Sequence, residues 1–184
     1  MKKNISTKKV IMIGIFSAIA FILQLIVPFP KVGGFLEIEI SDLPALILAF
    51  AYGPVSGVIC ELMKNILHGL MFTTTGYVGE LANFVINGVF VAVAGTIYKY
   101  NKTFKGAIVS LIVATIAMAV AGIFANLYIM LPLYMPNAPT NVTMPIVLGT
   151  ILPFNLAKGA IISLITMFIY KRISPIIKFS GGQK

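Results

Sequence analysis

Hydrophobic and polar positions follow one another in long blocks along this chain of 184 residues. Apolar segments are separated by short stretches of proline, glycine and charged residues, which is typical of consecutive helices joined by loops. Six segments of this kind cover residues 10–27, 43–52, 53–72, 78–98, 106–130 and 145–170. We therefore predict an all-α protein with six helices.

The loop 28–42 has a different pattern from the helices on either side of it. Apolar residues such as Leu36 and Ile38 alternate there with acidic residues such as Glu37 and Glu39. Alternation with a period of two is typical of extended backbone, because successive side chains of a strand point to opposite faces. We predict a short extended segment over 35–40 within this first loop.

Composition assigns these helices to a membrane. Hydrophobic residues make up 59% of the chain and charged residues 10%, and the mean hydropathy is +1.00, whereas soluble domains have about 25% charged residues. Because a spanning helix needs about 20 apolar residues, the chain has room for a six-helix transmembrane bundle and for little else. We predict a single integral membrane domain over 1–184, in which the segment 43–52 is too short to cross alone.

Basic residues predict the orientation of this bundle. The net charge is +9, and lysines and arginines lie in the N-terminal arm, the turn 99–105 and the tail from 171, with only Lys31 in the opposite loops. Cytoplasmic loops carry such an excess, so we expect a multi-pass protein of the cell membrane with both termini cytoplasmic. The basic residues flank the spans and are not interleaved with aromatic residues, which indicates contact with lipid and not with nucleic acid.

Polar residues within the predicted helices recur at helical spacing. The positions are Glu61, Lys64, Asn65 and His68 in the third helix, Glu80, Asn83 and Asn87 in the fourth, Asn126 in the fifth, and Asn155 and Lys158 in the sixth. Ionisable residues inside membrane helices usually have a partner and often mark a functional site. We expect Glu80, Asn126, Asn155 and Lys158 to line a common cavity that opens outward.

The polar face of the third helix has a simpler explanation. Polar residues in membrane helices often serve only as contacts between helices. We interpret Glu61 and Lys64 as an internal ion pair that holds this helix, and His68 as a packed residue.

Enzyme motifs are absent from the sequence. It contains no nucleotide-binding loop, no zinc-protease motif and no hydrolase nucleophile motif, and its single cysteine, Cys60, excludes a disulfide or a cysteine-based metal site within one chain. We expect neither catalysis nor a metal or cofactor, but a substrate-capturing unit that takes its energy from another protein. Gly14 and Ala18 in the first helix form a small-residue pair at which a partner helix could dock closely.

Three stretches carry a resemblance to a known family. "FLEIEISDLPALILAFAYGPVSGVICELMKNILH", "TTTGYVGELANFVINGV" and "LPFNLAKG" together resemble the riboflavin-specific S components of energy-coupling factor (ECF) vitamin transporters. The resemblance implies a six-helix membrane fold that captures riboflavin at the outer face beneath the first loop. It also implies a partner module of one transmembrane coupling protein and two cytoplasmic ATPases, which would meet the small-residue face of the first helix. Gly14 stands there where S components tend to have alanine.

The same resemblance implies the contacts of the flavin. The family's flavin-binding residues correspond to Glu80, Asn126, Asn155 and Lys158. Riboflavin has a flat apolar ring with one edge of alternating donors and acceptors, which asparagine amides can read.

The apolar slot for the ring is expected from nearby side chains. These are Leu36, Ile38, Tyr77, Tyr128 and Phe154. Because riboflavin is uncharged, Lys158 needs an acidic partner within the protein, and we expect this partner to be Glu80.

Alternatives of other classes remain open. A self-sufficient secondary transporter would use Glu61, Lys64 and His68 as a proton path, and a membrane scaffold would bind no small molecule. Within the transporter class, the ligand could also be FMN or another vitamin.

Overall fold

The computed structural model describes residues 7–26, 36 and 39–180, without the side chains of 171 and 173–180. Its secondary structure is helical, and no strand is among the described elements. The first four helices are α1 (Thr7–Ile26), α2 (Leu43–Tyr52), α3 (Pro54–Phe72) and α4 (Val78–Tyr100). Helix α5 runs through Phe104–Ala125, Asn126–Met130 and Leu131–Tyr134, and α6 through Thr140–Ile146, Val147–Ile151 and Leu152–Ser180.

Five of the described helices, α1 and α3 to α6, are long and apolar enough to cross a membrane. Helix α2 has ten residues and is too short. The all-α prediction agrees with these elements. The extended segment predicted over 35–40 lies largely outside the described residues, which include only Leu36, Glu39 and Ile40 of it.

Helix α2 is buried inside the bundle, where it packs against α1, α3, α4 and α6. Small residues make this packing possible. A Cβ atom on Gly57 of α3 would lie 2.6 Å from the carbonyl oxygen of Ala45, and one on Gly95 of α4 would lie 2.9 Å from the Cβ of Ala49. Glycine at both positions therefore lets the backbones of α3 and α4 approach α2 closely, as is common between membrane helices.

Aromatic residues join α2, α4 and α6 near the C-terminal end of α4. Tyr98 and Tyr170 share a hydrogen bond of 2.8 Å between their hydroxyl groups, and the ring of Phe50 stacks on Tyr98 at a centroid distance of 4.2 Å. Both tyrosines are buried, so this bond satisfies polar groups that would otherwise be costly in an apolar core.

Two π-helical turns interrupt α5 and α6. They span Asn126–Met130 and Val147–Ile151, and each is followed by a Leu-Pro pair. Proline in a regular α-helix clashes with the carbonyl group four residues earlier. A wider turn, in which Leu131 N–H bonds the carbonyl of Asn126, avoids that clash. The two turns contact each other and lie beside the cavity described below.

The close approach of α2 and α3 leads to a first prediction. The change Gly57→Ala should lower the thermal unfolding temperature, because the added methyl group overpacks the interface between α2 and α3. Overpacking typically costs about 1–3 kcal/mol. Circular dichroism of the protein in detergent measures this temperature. The matched control is Gly14→Ala, since a Cβ on Gly14 meets no atom within 4 Å. Equal losses in the two variants would contradict the packing argument.

Candidate functional site

A cavity of about 230 Å³ lies between α3 and α4 on one side and α5 and α6 on the other. Its floor and walls combine several amides and charged groups with apolar side chains. The lining residues are Gln24, Leu36, Asn65, His68, Thr74, Thr75, Gly79, Glu80, Ala82, Asn83, Ile86, Asn87, Asn126, Met130, Tyr134, Phe154, Asn155 and Lys158. Such a mixture of apolar surface and a few convergent polar groups is typical of a small-molecule site.

Glu80 is held in place by the turn between α3 and α4. Its Oε2 atom accepts hydrogen bonds from the hydroxyl groups of Thr73 at 3.2 Å and Thr75 at 3.1 Å. The same two hydroxyl oxygens accept bonds from the backbone N–H groups of Tyr77 and Gly79. The threonines therefore both order the start of α4 and orient the carboxylate of Glu80.

The opposite oxygen of Glu80 contacts a histidine of α3. Its Oε1 atom lies 3.0 Å from Nδ1 of His68, which the sequence analysis interpreted as a packed residue. His68 is partly buried and lines the cavity. Its contact with Glu80 links the two helices at this end of the cavity.

Asn126 of α5 and Asn155 of α6 both line the cavity. The Nδ2 atom of Asn126 donates to the carbonyl of Gly122 at 2.8 Å, and that of Asn155 donates to the carbonyl of Ile151 at 2.9 Å. Because a backbone carbonyl only accepts, these bonds identify the nitrogen of each amide. The Oδ1 atom of each side chain is then left to accept from a ligand, and each Nδ2 atom keeps a second N–H group. Gly122 makes room for this arrangement, since its own Cβ would lie 2.6 Å from Nδ2 of Asn155.

Lys158 does not pair with Glu80, so that expectation was wrong. Its Nζ atom lies 3.3 Å from Oε1 of Glu39 and 3.2 Å from Oδ2 of Asp42. The physical reason is position: the residues just before α2 pass beside α6, whereas the turn before α4 already holds Glu80. Lys158 is 4% exposed, and two carboxylates from one short segment compensate its charge.

Lys64 forms the second half of the same charge cluster. It contacts Asp42 as well as Glu61, whose Oε2 lies 2.8 Å from its Nζ atom, and the predicted pair between Glu61 and Lys64 is therefore present. Burial alone would raise the pKa of the Glu39 carboxyl, but the lysines Lys158 and Lys64 outweigh it and hold that pKa well below its usual value. Glu39 is accordingly a carboxylate at neutral pH.

Most of the residues expected to bind the ligand line the cavity. They are Leu36, Glu80, Asn126, Phe154, Asn155 and Lys158. Tyr77 and Tyr128 do not line it, being 59% and 75% exposed. Tyr128 follows Asn126 by two residues, which turns it to the other side of α5, where it stacks on Phe124. Ile38 lies outside the described residues.

Several lining residues were not among the expected ligand contacts. Asn65, Asn83 and Asn87 belong to polar helix faces that the sequence showed, and helical spacing alone could have added them to the site. Gln24 of α1 shares its helical face with Ser17, seven residues earlier, but one serine is a weak polar signal. Glu39 does not line the cavity, but it accepts a hydrogen bond of 2.7 Å from Asn83 and so supports its wall.

The two residues of the predicted docking pair can be located. Gly14 and Ala18 are both exposed on α1, and the Gly14 position is open. Among the described residues, no group of three or more histidine, cysteine or acidic side chains could hold a metal ion. The side chains that line the cavity can bind a molecule through hydrogen bonds, ion pairs and apolar contact.

Known proteins are similar to this chain in sequence and fold. The riboflavin transporter RibU of Staphylococcus aureus (strain TCH60) is 38% identical over 177 residues, or 93% of each chain. The riboflavin transporter FmnP of Bacillus subtilis (strain 168) is 32% identical over 179 residues, with 93% of this chain and 94% of that protein covered.

A solved structure of the S component of a bacterial ECF transporter matches the fold. The TM-score is 0.79 at 38% sequence identity, and the match covers 93% of this chain and 98% of the other. Residues 8–170 match the family described as ECF transporter, substrate-specific component, a family of transport components and not of enzymes. The chain is a multi-pass membrane protein that belongs to the substrate-specific components of ECF transporters.

Proposed function

We propose that this chain captures riboflavin in the cavity between α3, α4, α5 and α6 and delivers it to an energising module for ATP-driven uptake. The observation that carries the proposal is the cavity itself, in which apolar side chains adjoin amide groups and one compensated lysine. Its relatives named as riboflavin transporters support the choice of ligand.

The wall formed by α5 and α6 suits the flavin ring. Met130 and Phe154 supply apolar surface there, and Leu36 packs on the same helices from the first loop. The polar edge of the ring presents an N–H group between two carbonyl groups. The Oδ1 atoms of Asn126 and Asn155 can accept from that N–H group, and Lys158 can donate to a ring carbonyl.

The charges around Lys158 favour an uncharged ligand. Glu39 and Asp42 already compensate the lysine, and Glu80 adds a further carboxylate to the cavity lining. A phosphate group entering this site would meet more negative than positive charge, and like charges at short range repel. The arrangement therefore supports riboflavin over FMN.

Delivery to the partner module would use the outer face of α1. Gly14 and Ala18 lie one helical turn apart and are exposed, so a helix of the transmembrane coupling protein could approach closely. Two cytoplasmic ATPases would supply the energy. With both termini cytoplasmic in the cell membrane, the turn 73–77 beside the cavity would face outward, where riboflavin arrives.

Riboflavin capture can be tested on the purified protein. We expect it to be isolated with a bound flavin absorption band, and mass spectrometry of the released compound should identify riboflavin. Uptake by cells should require the partner ATPases. Uptake that persists without the ATPases and stops when the proton gradient collapses would instead indicate a secondary transporter. A purified protein that contains no flavin and does not bind added riboflavin would refute the proposal.

The role of Lys158 leads to a separate prediction. Lys158→Met should weaken riboflavin binding by about 10- to 100-fold, because hydrogen bonds to charged groups contribute about 1.5–3 kcal/mol. It should also lower the unfolding temperature by leaving Glu39 and Asp42 undercompensated. Titration calorimetry and thermal unfolding measure the two effects.

A second variant separates these two roles of the lysine. In Lys158→Met with Glu39→Gln, the unfolding temperature should partly recover, since fewer uncompensated charges remain, while affinity for riboflavin stays low. If Lys158→Met bound riboflavin as tightly as the parent protein, the lysine would have only a structural role.

Docking through α1 is tested by enlarging its small residues. Gly14→Leu and Ala18→Leu should leave riboflavin binding unchanged and abolish uptake, because the larger side chains keep the partner helix away. Ala160→Leu, at a position on α6 that is also exposed, is the matched control and should transport normally. Normal uptake by both α1 variants would exclude docking at this face.

A further inference from the structure

A second concave region, a groove of about 430 Å³, lies on the surface of the bundle between α5 and α6. It shares no lining residue with the cavity described above. Large apolar side chains that are mostly exposed line it, among them Ile112 at 57%, Ile116 at 56% and Leu164 at 61%. On a membrane-spanning protein, an exposed apolar groove of this kind faces the acyl chains of lipids.

The two hydroxyl groups in this groove already have partners within the protein. Thr115 donates to the carbonyl of Leu111 at 2.8 Å, and its Oγ1 atom lies 3.3 Å from Oγ of Ser163. Since the hydroxyl hydrogen of Thr115 is used, Ser163 is the donor in that second contact. A groove whose polar groups are satisfied in this way can be covered by hydrocarbon without cost.

Aromatic residues mark the level at which the groove begins. The rings of Phe104 and Tyr170 lie 6.0 Å apart, so the first turn of α5 lies beside residue 170 of α6. Tyr100, just before this turn, is 82% exposed, and tyrosine is enriched at the level of the lipid headgroups. From Ile108, one turn further into the membrane, the groove follows α5 for about 12 Å.

Basic residues from both helices lie at this same end of the groove. Lys105 directly follows Phe104, and Arg172 comes two residues after Tyr170, and both are exposed. Because Phe104 contacts Tyr170, these two cations flank one point of the surface. Basic residues at the ends of membrane helices attract anionic lipid headgroups.

We propose that the groove between α5 and α6 binds one acyl chain of an anionic phospholipid, whose headgroup contacts Lys105 and Arg172. One lipid then stabilises the pairing of the two helices. This site is independent of riboflavin capture, since the groove and the cavity have separate linings. It is also separate from docking through α1, which packs against α2 and α3.

The side chains of the groove favour a lipid over a helix of another protein. Close helix contacts in membranes use small residues, which let the backbones approach each other. Here Ile112 and Leu164, one from each helix, stand exposed along the groove and leave a narrow slot between large side chains. An acyl chain fits such a slot, whereas the backbone of a helix would be held away from it.

The headgroup contact is tested by lipid competition. The purified protein is given equal amounts of phosphatidylglycerol, which is anionic, and phosphatidylcholine, which is not, and native mass spectrometry measures the lipid that it retains. The parent protein should prefer phosphatidylglycerol. In the double variant Lys105→Gln with Arg172→Gln, this preference should fall by about tenfold or more. Lys8→Gln with Lys9→Gln, the same charge change at the start of α1, is the matched control and should keep the preference.

The acyl-chain contact needs a second pair of variants. Ile112→Ala with Leu164→Ala flattens the groove and should reduce retention of both lipids, because apolar contact area is lost. Val109→Ala with Phe168→Ala changes residues of the same helices that are 53% and 80% exposed and do not line the groove. This control should retain lipid like the parent protein, and circular dichroism checks that both variants are folded.

The possible results separate the lipid site from its alternatives. Equal retention of the two lipids by the parent protein, or full retention by the flattened variant, would overturn the proposal. Displacement of the lipid by glycerol 3-phosphate, which has the charge without acyl chains, would also overturn it. If the parent protein retained no lipid and the flattened variant lost uptake in cells, the groove would instead receive a protein helix. Selective retention of phosphatidylglycerol that depends on both the basic pair and the groove is the result that we expect.

Discussion

The structure depends on how two lysines are buried within an apolar bundle. Lys64 and Lys158 are 0% and 4% exposed, and a charge in such surroundings is tolerated only with close partners of opposite sign. Those partners are Glu61 of α3 and, from the segment just before α2, Glu39 and Asp42. Because that segment must reach both lysines, it is held against α3 and α6 at once, and α2 follows it into the centre of the bundle.

This charge cluster also shapes the cavity beside it. Glu39 contacts Lys158 on one side and Asn83 on the other, so a single carboxylate connects the wall of α6 with the wall of α4. Its negative charge determines which atom of Asn83 faces it. The same residues therefore compensate the buried charges and orient the polar groups of the cavity wall.

Local pattern predicted the helices well, because apolar periodicity and helix-breaking residues act over a few positions. It also identified Asn126, Asn155 and Lys158, since polar atoms are conspicuous in apolar segments. The partner of Lys158 could not be predicted in this way. Glu39 is 119 residues away in the sequence, and helical spacing does not show which distant acid reaches the lysine. The exposure of Tyr128 was predictable from helical geometry, because its place two residues after Asn126 turns it away from the cavity.

A compensated lysine explains why the proposed site for an uncharged ligand contains an ion cluster at all. If Lys158 faced the cavity without carboxylates, it would attract any anion of suitable shape. Bound to Glu39 and Asp42, it keeps one of its three N–H donors for a ligand, while its charge is compensated within the wall. Recognition then rests on shape, on apolar contact and on the direction of individual hydrogen bonds, which are the properties that distinguish one neutral molecule from another.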